Sequence, residues 1–174
     1  EELHEEYPQN VEFKLNYGWS NQFLGITQAT LGDLSRSLVY FEKMKRLFEE
    51  LYAAYPQNVS FKNGSAISYQ FLGNTHTALE NLDRALIFYE KHNQLEKELY
   101  EAYPQNVSFK NGLAVSYSQL GAFYRDHKKD LETAKTYFQQ CHTLFKELSE
   151  AYPAYVEFTK NFNWVKGALG EDSV

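Results

Sequence analysis

The segment Tyr-Pro-Gln-Asn-Val begins three times, at Tyr7, Tyr55 and Tyr103, and a worn copy, Tyr-Pro-Ala-Tyr-Val, begins at Tyr152. The steps are 48, 48 and 49 residues, and all four prolines (Pro8, Pro56, Pro104, Pro153) lie in these copies. A Leu-Gly pair keeps the same spacing, at Leu24-Gly25, Leu72-Gly73, Leu120-Gly121 and Leu169-Gly170. Residues 55–64 and 103–112 are identical. A fixed period of this size implies one supersecondary unit repeated along the chain, each copy burying a face against the next.

Each period reads as two helices. Tyr-Pro closes one, because proline lacks the N–H that a helix interior needs and turns the residue before it away from helical geometry. Asn58 and Asn106 then stand where an N-cap belongs, able to accept from the first free backbone N–H groups. A first helix (A) is expected from about Val59 to about Thr77, with apolar Phe61, Ile67, Tyr69, Phe71 and Leu72. A second (B) is expected from about Leu82 to Tyr103, with the stripe Leu82, Ala85, Leu86, Tyr89, Leu95, Leu99 and Tyr103 at the spacing of one buried face. Glu80-Asn81 leaves room only for a tight turn, so the pair must be antiparallel. The extra residue of the third period lies between Leu120 and Ala134, and is placed in the charged connection Arg125-Asp126-His127-Lys128-Lys129-Asp130, since loops accept insertions more readily than packed helices.

These residues resemble the tetratricopeptide repeat (TPR) family. Its pattern of aromatic, Leu-Gly, small residue, aromatic and closing proline is matched by Tyr69, Leu72-Gly73, Ala85, Tyr89 and Pro104, and again by Tyr117, Leu120-Gly121, Ala134, Phe138 and Pro153. The first copy keeps Leu24-Gly25, Phe41 and Pro56 but has Asn21 and Ser37 at the other places. The resemblance implies an all-α fold, a right-handed α-α superhelix built as a TPR-like solenoid of antiparallel helix hairpins. The departure is the length, since the ordinary repeat has 34 residues. The excess divides about evenly between the helices, and about seven residues per helix is close to two turns, which rotates a face by only about 20°. The boundaries expected are residues 1–6 as the end of a preceding helix, repeats over 7–54, 55–102 and 103–151, and a capping helix A in 152–174. Such ends suggest a segment of a longer array within a multidomain protein.

Composition narrows the functional classes. The 174 residues are 43% hydrophobic and 23% charged, enough to bury a core, and 17% aromatic with 14 Tyr and 13 Phe. Net charge is −6 with no basic block longer than Lys128-Lys129, so the electrostatic footprint of a nucleic-acid binder is missing. Cys141 has no second cysteine to bridge to. No run approaches the roughly 18 apolar residues of a membrane span, and the acidic Glu1-Glu2-Leu3-His4-Glu5-Glu6 is unlike a signal peptide. The chain is therefore expected to be soluble and cytoplasmic, with no nucleic-acid or membrane partner.

The family's ligands lie in a concave groove lined by helix A. Carried over place by place, the resemblance gives Trp19, Gln22, Ile26 and Ala29 in the first period. The second gives Ile67, Gln70, Asn74 and Thr77, the third Val115, Ser118, Ala122 and Arg125, and Trp164 continues the row. This neutral mixture suits an extended or helical peptide segment. The Lys/Asn clamp by which chaperone-binding members hold a terminal carboxylate is absent, its places carrying Gln22, Phe23, Ile26, Gln70, Phe71 and Asn74. Lys14, Lys62 and Lys110 recur at the period, either as an edge of positive charge for an acidic partner or simply as solvated lysines. Asn63-Gly64 and Asn111-Gly112 are odd inside a helix and point to close approach of another helix.

His4, His76, His92, His127 and His142 show no metal-ligand spacing. Cys141 falls on the buried stripe, about 100° round the helix from His142, so the two form no direct nucleophile–base pair. With no phosphate loop or hydrolase triad, no catalytic residue, metal or cofactor is expected. The function expected is a protein–protein interaction scaffold, holding a protein or peptide segment in the groove. The alternative is a regulatory or sensor arm of a larger enzyme, such as the bacterial proteins that join TPRs to a caspase-like protease or an NTPase. Self-association through exposed solenoid ends is a further route.

Overall fold

The computed structural model describes residues 6 and 10–170. The helix end expected over residues 1–6 lies outside them apart from Glu6, as do Tyr7, Pro8 and residues 171–174. Among the described residues the chain is all-helical: α1 (Val11–Thr30), α2 (Leu34–Ala54), α3 (Val59–Ala78), α4 (Leu82–Ala102), α5 (Val107–Phe123), α6 (Leu131–Ala151) and α7 (Val156–Leu169). A π-helical turn, Tyr124–Lys128, joins α5 to α6. The chain divides into two compact units, Glu1–Leu95 and Glu96–Val174, with the division falling inside α4.

The Tyr-Pro segments start and stop these helices as their chemistry requires. Tyr55 N–H closes α2 on Leu51 O, and Asn58 N–H then returns to Tyr55 O at 2.9 Å, so Tyr55-Pro56-Gln57-Asn58 is a β-turn with proline at its favoured second place. Asn58 Oδ1 accepts from Ser60 N and Phe61 N, and Asn106 Oδ1 from Ser108 N and Phe109 N. Asn10 caps α1 through Phe13 N. The tyrosine also packs on the phenylalanine of the next helix's first turn, Tyr55 on Phe61 and Tyr103 on Phe109, each at 5.9 Å between ring centroids. The worn copy keeps the turn, Tyr155 N–H to Tyr152 O at 3.0 Å, but Tyr155 offers α7 no side-chain cap. A lost cap costs about 1 kcal/mol.

The hairpin tips share one closure. Gly32 N–H binds Ala29 O and Asp33 N–H binds Gln28 O, while Glu80 N–H binds Thr77 O and Asn81 N–H binds His76 O. This is a Schellman motif, with a left-handed residue at Gly32 (φ 81°) or Glu80 (φ 58°). The third tip has its left-handed residue at Lys129 (φ 56°), but Asp130 N–H reaches back one residue further, to Tyr124 O at 3.1 Å. The extra residue of the third period is thus taken up by widening the last helical turn into a π turn, not by a looser loop. Asp130 still caps α6 through Thr133 N, as Asp33 caps α2 through Arg36 N.

In unit 1, α1 packs on α2 and α2 on α3. Phe48 of α2 is fully buried, and a Cβ added at Gly18 of α1 would stand 2.9 Å from its ring, while one added at Gly64 of α3 would fall on the ring itself. The odd Gly64 therefore marks a close approach, with Met44, Leu51 and Phe61 completing the cluster. In unit 2, α5 packs on α6 and α6 on α7 around Ala114, Ala134, Phe138, Cys141, Phe145, Leu148 and Val165. The Leu-Gly pairs work alike in both units: a Cβ at Gly73 would meet Tyr89 at 2.6 Å, and one at Gly121 would meet Phe138 at 2.6 Å. Cys141 sits in the core, donating to Phe138 O, and burial raises its thiol to about 12.

Candidate functional site

The groove-facing places expected from the sequence divide into two sorts, those that pack inward and those that line an open surface. Trp19 is half-buried edge-on against Phe48 at 4.6 Å, and Ile67 packs on the same cluster. Val115 and Ala122 pack against the unit 2 core. Ser118 donates to its own Val115 O at 2.8 Å. Gln22 and Gln70 are half-buried.

In unit 1 an open cleft of about 300 Å³ does gather expected residues: Ile26 and Ala29 from α1 and Asn74 from α3, with Phe41 and Phe71 as its base. Phe71 lies flat on Phe41, centroids 4.7 Å apart and planes 10° from parallel. Asn74 Oδ1 accepts from Tyr89 Oη at 3.0 Å, and that hydroxyl also lies 3.0 Å from Thr77 Oγ1, so the polar rim of the cleft is anchored to α4. Burial raises the Tyr89 phenol above its ordinary range, which keeps it a donor. Phe23 is 68% exposed and Ile26 38%, one helical turn from each other on α1.

In unit 2 the expected Arg125 and Trp164 come together. The Arg125 guanidinium lies 5.5 Å from the Phe138 ring centroid and 5.9 Å from that of Trp164, and Trp164 meets Phe138 edge-on at 5.7 Å. Arg125 Nε and Nη2 donate to the two Asp126 oxygens at 2.7 and 2.8 Å, and this holds the Asp126 carboxyl below the usual carboxylate range. A cleft of about 240 Å³ opens beside Arg125, against Leu131, Phe138 and Leu169. Leu131 (68%) and Trp164 (46%) leave apolar surface exposed there.

The three periodic lysines do not stand as bare charge. Lys14 bridges to Glu50 at 2.8 Å, Lys110 pairs with Glu147, and Lys62 Nζ lies 5.9 Å from the Tyr52 ring centroid. The two ion pairs tie the start of one helix to the end of its partner, and half-exposed pairs of this kind contribute roughly 0.2–1 kcal/mol. Among the histidines, His76 is buried face to face with Phe88, centroids 5.4 Å apart, and His92 is buried, whereas His127 leans on Phe123 and His142 on Phe162. His4 lies outside the described residues. Phe23 and Phe71, both at places of the absent clamp, contribute apolar surface: Phe23 is exposed and Phe71 lines the unit 1 cleft. Their register was legible from the clamp places, but their part in an apolar surface was not.

An all-helical chain of antiparallel hairpins with glycine-and-aromatic seams defines a helical-repeat protein. Residues 66–98 match the family model of the tetratricopeptide repeat. That stretch holds Tyr69, Leu72-Gly73, Ala85 and Tyr89, so the family-length core occupies the middle of the hairpin. The remainder of the period lies towards the Tyr-Pro turns. Among solved structures the chain is similar to TTC0263, a thermophilic TPR protein of Thermus thermophilus, at 19% identity and a TM-score of 0.50. The match covers 88% of this chain and 66% of that one, just under two thirds of its length. No curated protein sequence matches the chain. The fold is thus TPR-like. Among the described residues no helix is long and apolar enough to cross a membrane.

Proposed function

We propose that the chain is a protein–protein interaction module that holds a helical or extended protein segment on the surfaces of its first helices. The repeats are those over 7–54, 55–102 and 103–151, with 152–174 as a capping helix. The observation that carries the reading is the unit 1 cleft, where Ile26, Ala29, Phe71 and Asn74 combine an apolar floor with an amide rim and exposed Phe23 stands beside it. An amphipathic segment laid along it would present side chains every turn. In unit 2 the aromatic and cationic pair Trp164 and Arg125 supplies the residue types that dominate binding energy at interfaces. A regulatory arm of a larger enzyme would use the same surfaces.

The test is a photo-reactive residue placed at Phe23, with a control at exposed Glu90 on α4. Cross-linking to a protein partner from position 23 is expected, with little from position 90. Ile26→Asp should abolish the adduct while leaving the melting temperature within a few degrees. Equal adducts from both positions, or an adduct insensitive to Ile26→Asp, would overturn the reading.

A further inference from the structure

We propose that the cleft beside Arg125 in unit 2 holds an acidic side chain and a neighbouring bulky apolar one, both from a partner's segment. The inference rests on the interaction reading above and adds the chemistry of what this second surface recognises. The cleft measures about 240 Å³. An apolar cavity of about 150 Å³ already holds benzene, so a carboxylate side chain has room here.

This cleft is the unit 1 cleft repeated with different charge. Counted from the Tyr-Pro segment that borders each helix, Ala29, Leu34, Phe41 and Phe71 stand at the places of Arg125, Leu131, Phe138 and Ala168. Each of these residues lines the cleft of its own unit. In unit 1 no lining residue is charged, and the Phe71 ring lies on Phe41 at 4.7 Å. In unit 2 Ala168 replaces that ring, and the Arg125 guanidinium stands over Phe138 at 5.5 Å. Lys135, where the first hairpin has Leu38, adds a second cation to the lining. Among the described residues the unit 2 lining thus carries two cations and no carboxylate, in a chain whose net charge is −6.

Asp126 leaves this positive character standing. Its oxygens take Arg125 Nε and Nη2, and a guanidinium carries further donors on its third nitrogen. Arg125 Nη1 makes no hydrogen bond among the described residues, and Lys135 is exposed with no ion pair among them. With Phe138 beneath it and Asp126 along one edge, the guanidinium is held in place and loses little freedom on binding. The walls then choose the occupant. A basic side chain would meet two like charges. A wholly apolar one would strip water from both cations and offer nothing in return. A carboxylate meets Arg125 and Lys135 together, and a phenylalanine or leucine next to it in the segment covers the exposed Leu131 and Trp164.

The test titrates the full chain with the peptide acetyl-Ala-Glu-Phe-Ala-amide and with its Gln and Lys counterparts, following the two tryptophan indole N–H signals by NMR. Trp164 reports on this cleft and Trp19 on unit 1. The Glu peptide should give a saturable Trp164 shift. The Gln peptide should bind about ten-fold more weakly, the weight of one hydrogen bond to a charged group, and the Lys peptide should give no shift. Arg125→Gln should bring the Glu peptide down to the Gln level. If that variant fails to fold, Lys135→Gln at an exposed place decides, and should cut the Glu preference about three-fold, the weight of one exposed ion pair. Equal binding of the Glu and Gln peptides, a preference unchanged in the folded variants, or no saturable Trp164 shift would sink the proposal. So would a Trp164 shift that grows with protein concentration and needs no peptide, since a second copy of the chain would then fill the cleft. The cross-link from position 23 is read in unit 1, so an adduct there alongside failure here strikes this inference alone.

Discussion

At the scale of single residues, Phe48 shows how this chain brings long helices together. Its ring fills the space that two glycines on neighbouring helices leave empty, Gly18 on one side and Gly64 on the other. Glycine inside a helix costs roughly 1 kcal/mol against alanine, so alanine at position 64 would stabilise an isolated helix. Here its methyl group would overlap a ring with no room to withdraw. Gly64→Ala is expected to destabilise the chain by about 1–3 kcal/mol, seen as a lower urea midpoint with an unchanged slope. A second residue, His76, carries an acid sensitivity. Burial holds its imidazole below the ordinary 6.5, helped by Arg84 and Lys45 and opposed by Glu42. Because the unfolded imidazole takes its proton first, the stabilisation is present above the unfolded value and is lost as pH falls through it towards the folded one. The melting temperature should therefore drop between about pH 7 and about pH 5. His76→Phe, which keeps a ring against Phe88, should show a smaller drop. An equal drop in the variant would rule His76 out as the source.

The helices themselves were the most legible part of the sequence. Asparagine after Tyr-Pro marks their starts, because Asn58 and Asn106 can do little else there than accept from the first turn, and the observed α3 and α4 (Val59–Ala78 and Leu82–Ala102) differ from the expected spans by a single residue at their ends. The tips were legible in length but not in conformation. Gly32, Glu80 and Lys129 occupy one left-handed position, yet only the first is the residue that position favours. Glu80→Gly is expected to raise stability by about 0.5–1 kcal/mol, since it relieves the steric penalty of a left-handed side chain. Chemical denaturation of the variant checks this, and no gain would show that the Glu80 side chain supplies a compensating contact. The π turn at Tyr124–Lys128 could not be read, because an extra residue in a charged stretch suits a loop and a widened helix equally well. The surface was the least legible. Trp19, Ile67 and Val115 share a register with Ile26 and Asn74, but whether a place on that register meets the core depends on the bulk of the residue across from it. Phe48 draws Trp19 inward, and no periodicity encodes that.

On the scale of the whole molecule, each helix rests on its immediate neighbours in the chain, α1 on α2 and α2 on α3 in one unit, α5 on α6 and α6 on α7 in the other. Stability in such an arrangement is close to a sum of local hairpins and the seams between them. Removing α7 uncovers the α6 face that carries Phe138, Cys141 and Phe145, together with the fully buried Val165 contact. A chain ending at Ala151 should therefore lose amide protection in α5 and α6 while α1 to α3 keep theirs, as followed by hydrogen exchange. Uniform loss along the chain would show that the units unfold together. The widened turn at Tyr124–Lys128 has a consequence for how such a gene can change. Upstream of it Gly121 still receives Phe138, and downstream Asp130 still caps α6, so an added codon left both sides in frame with their partners. Hairpin tips of this kind are the sites where a lineage can gain or lose single residues without rewriting the seams, and length differences between relatives should collect there.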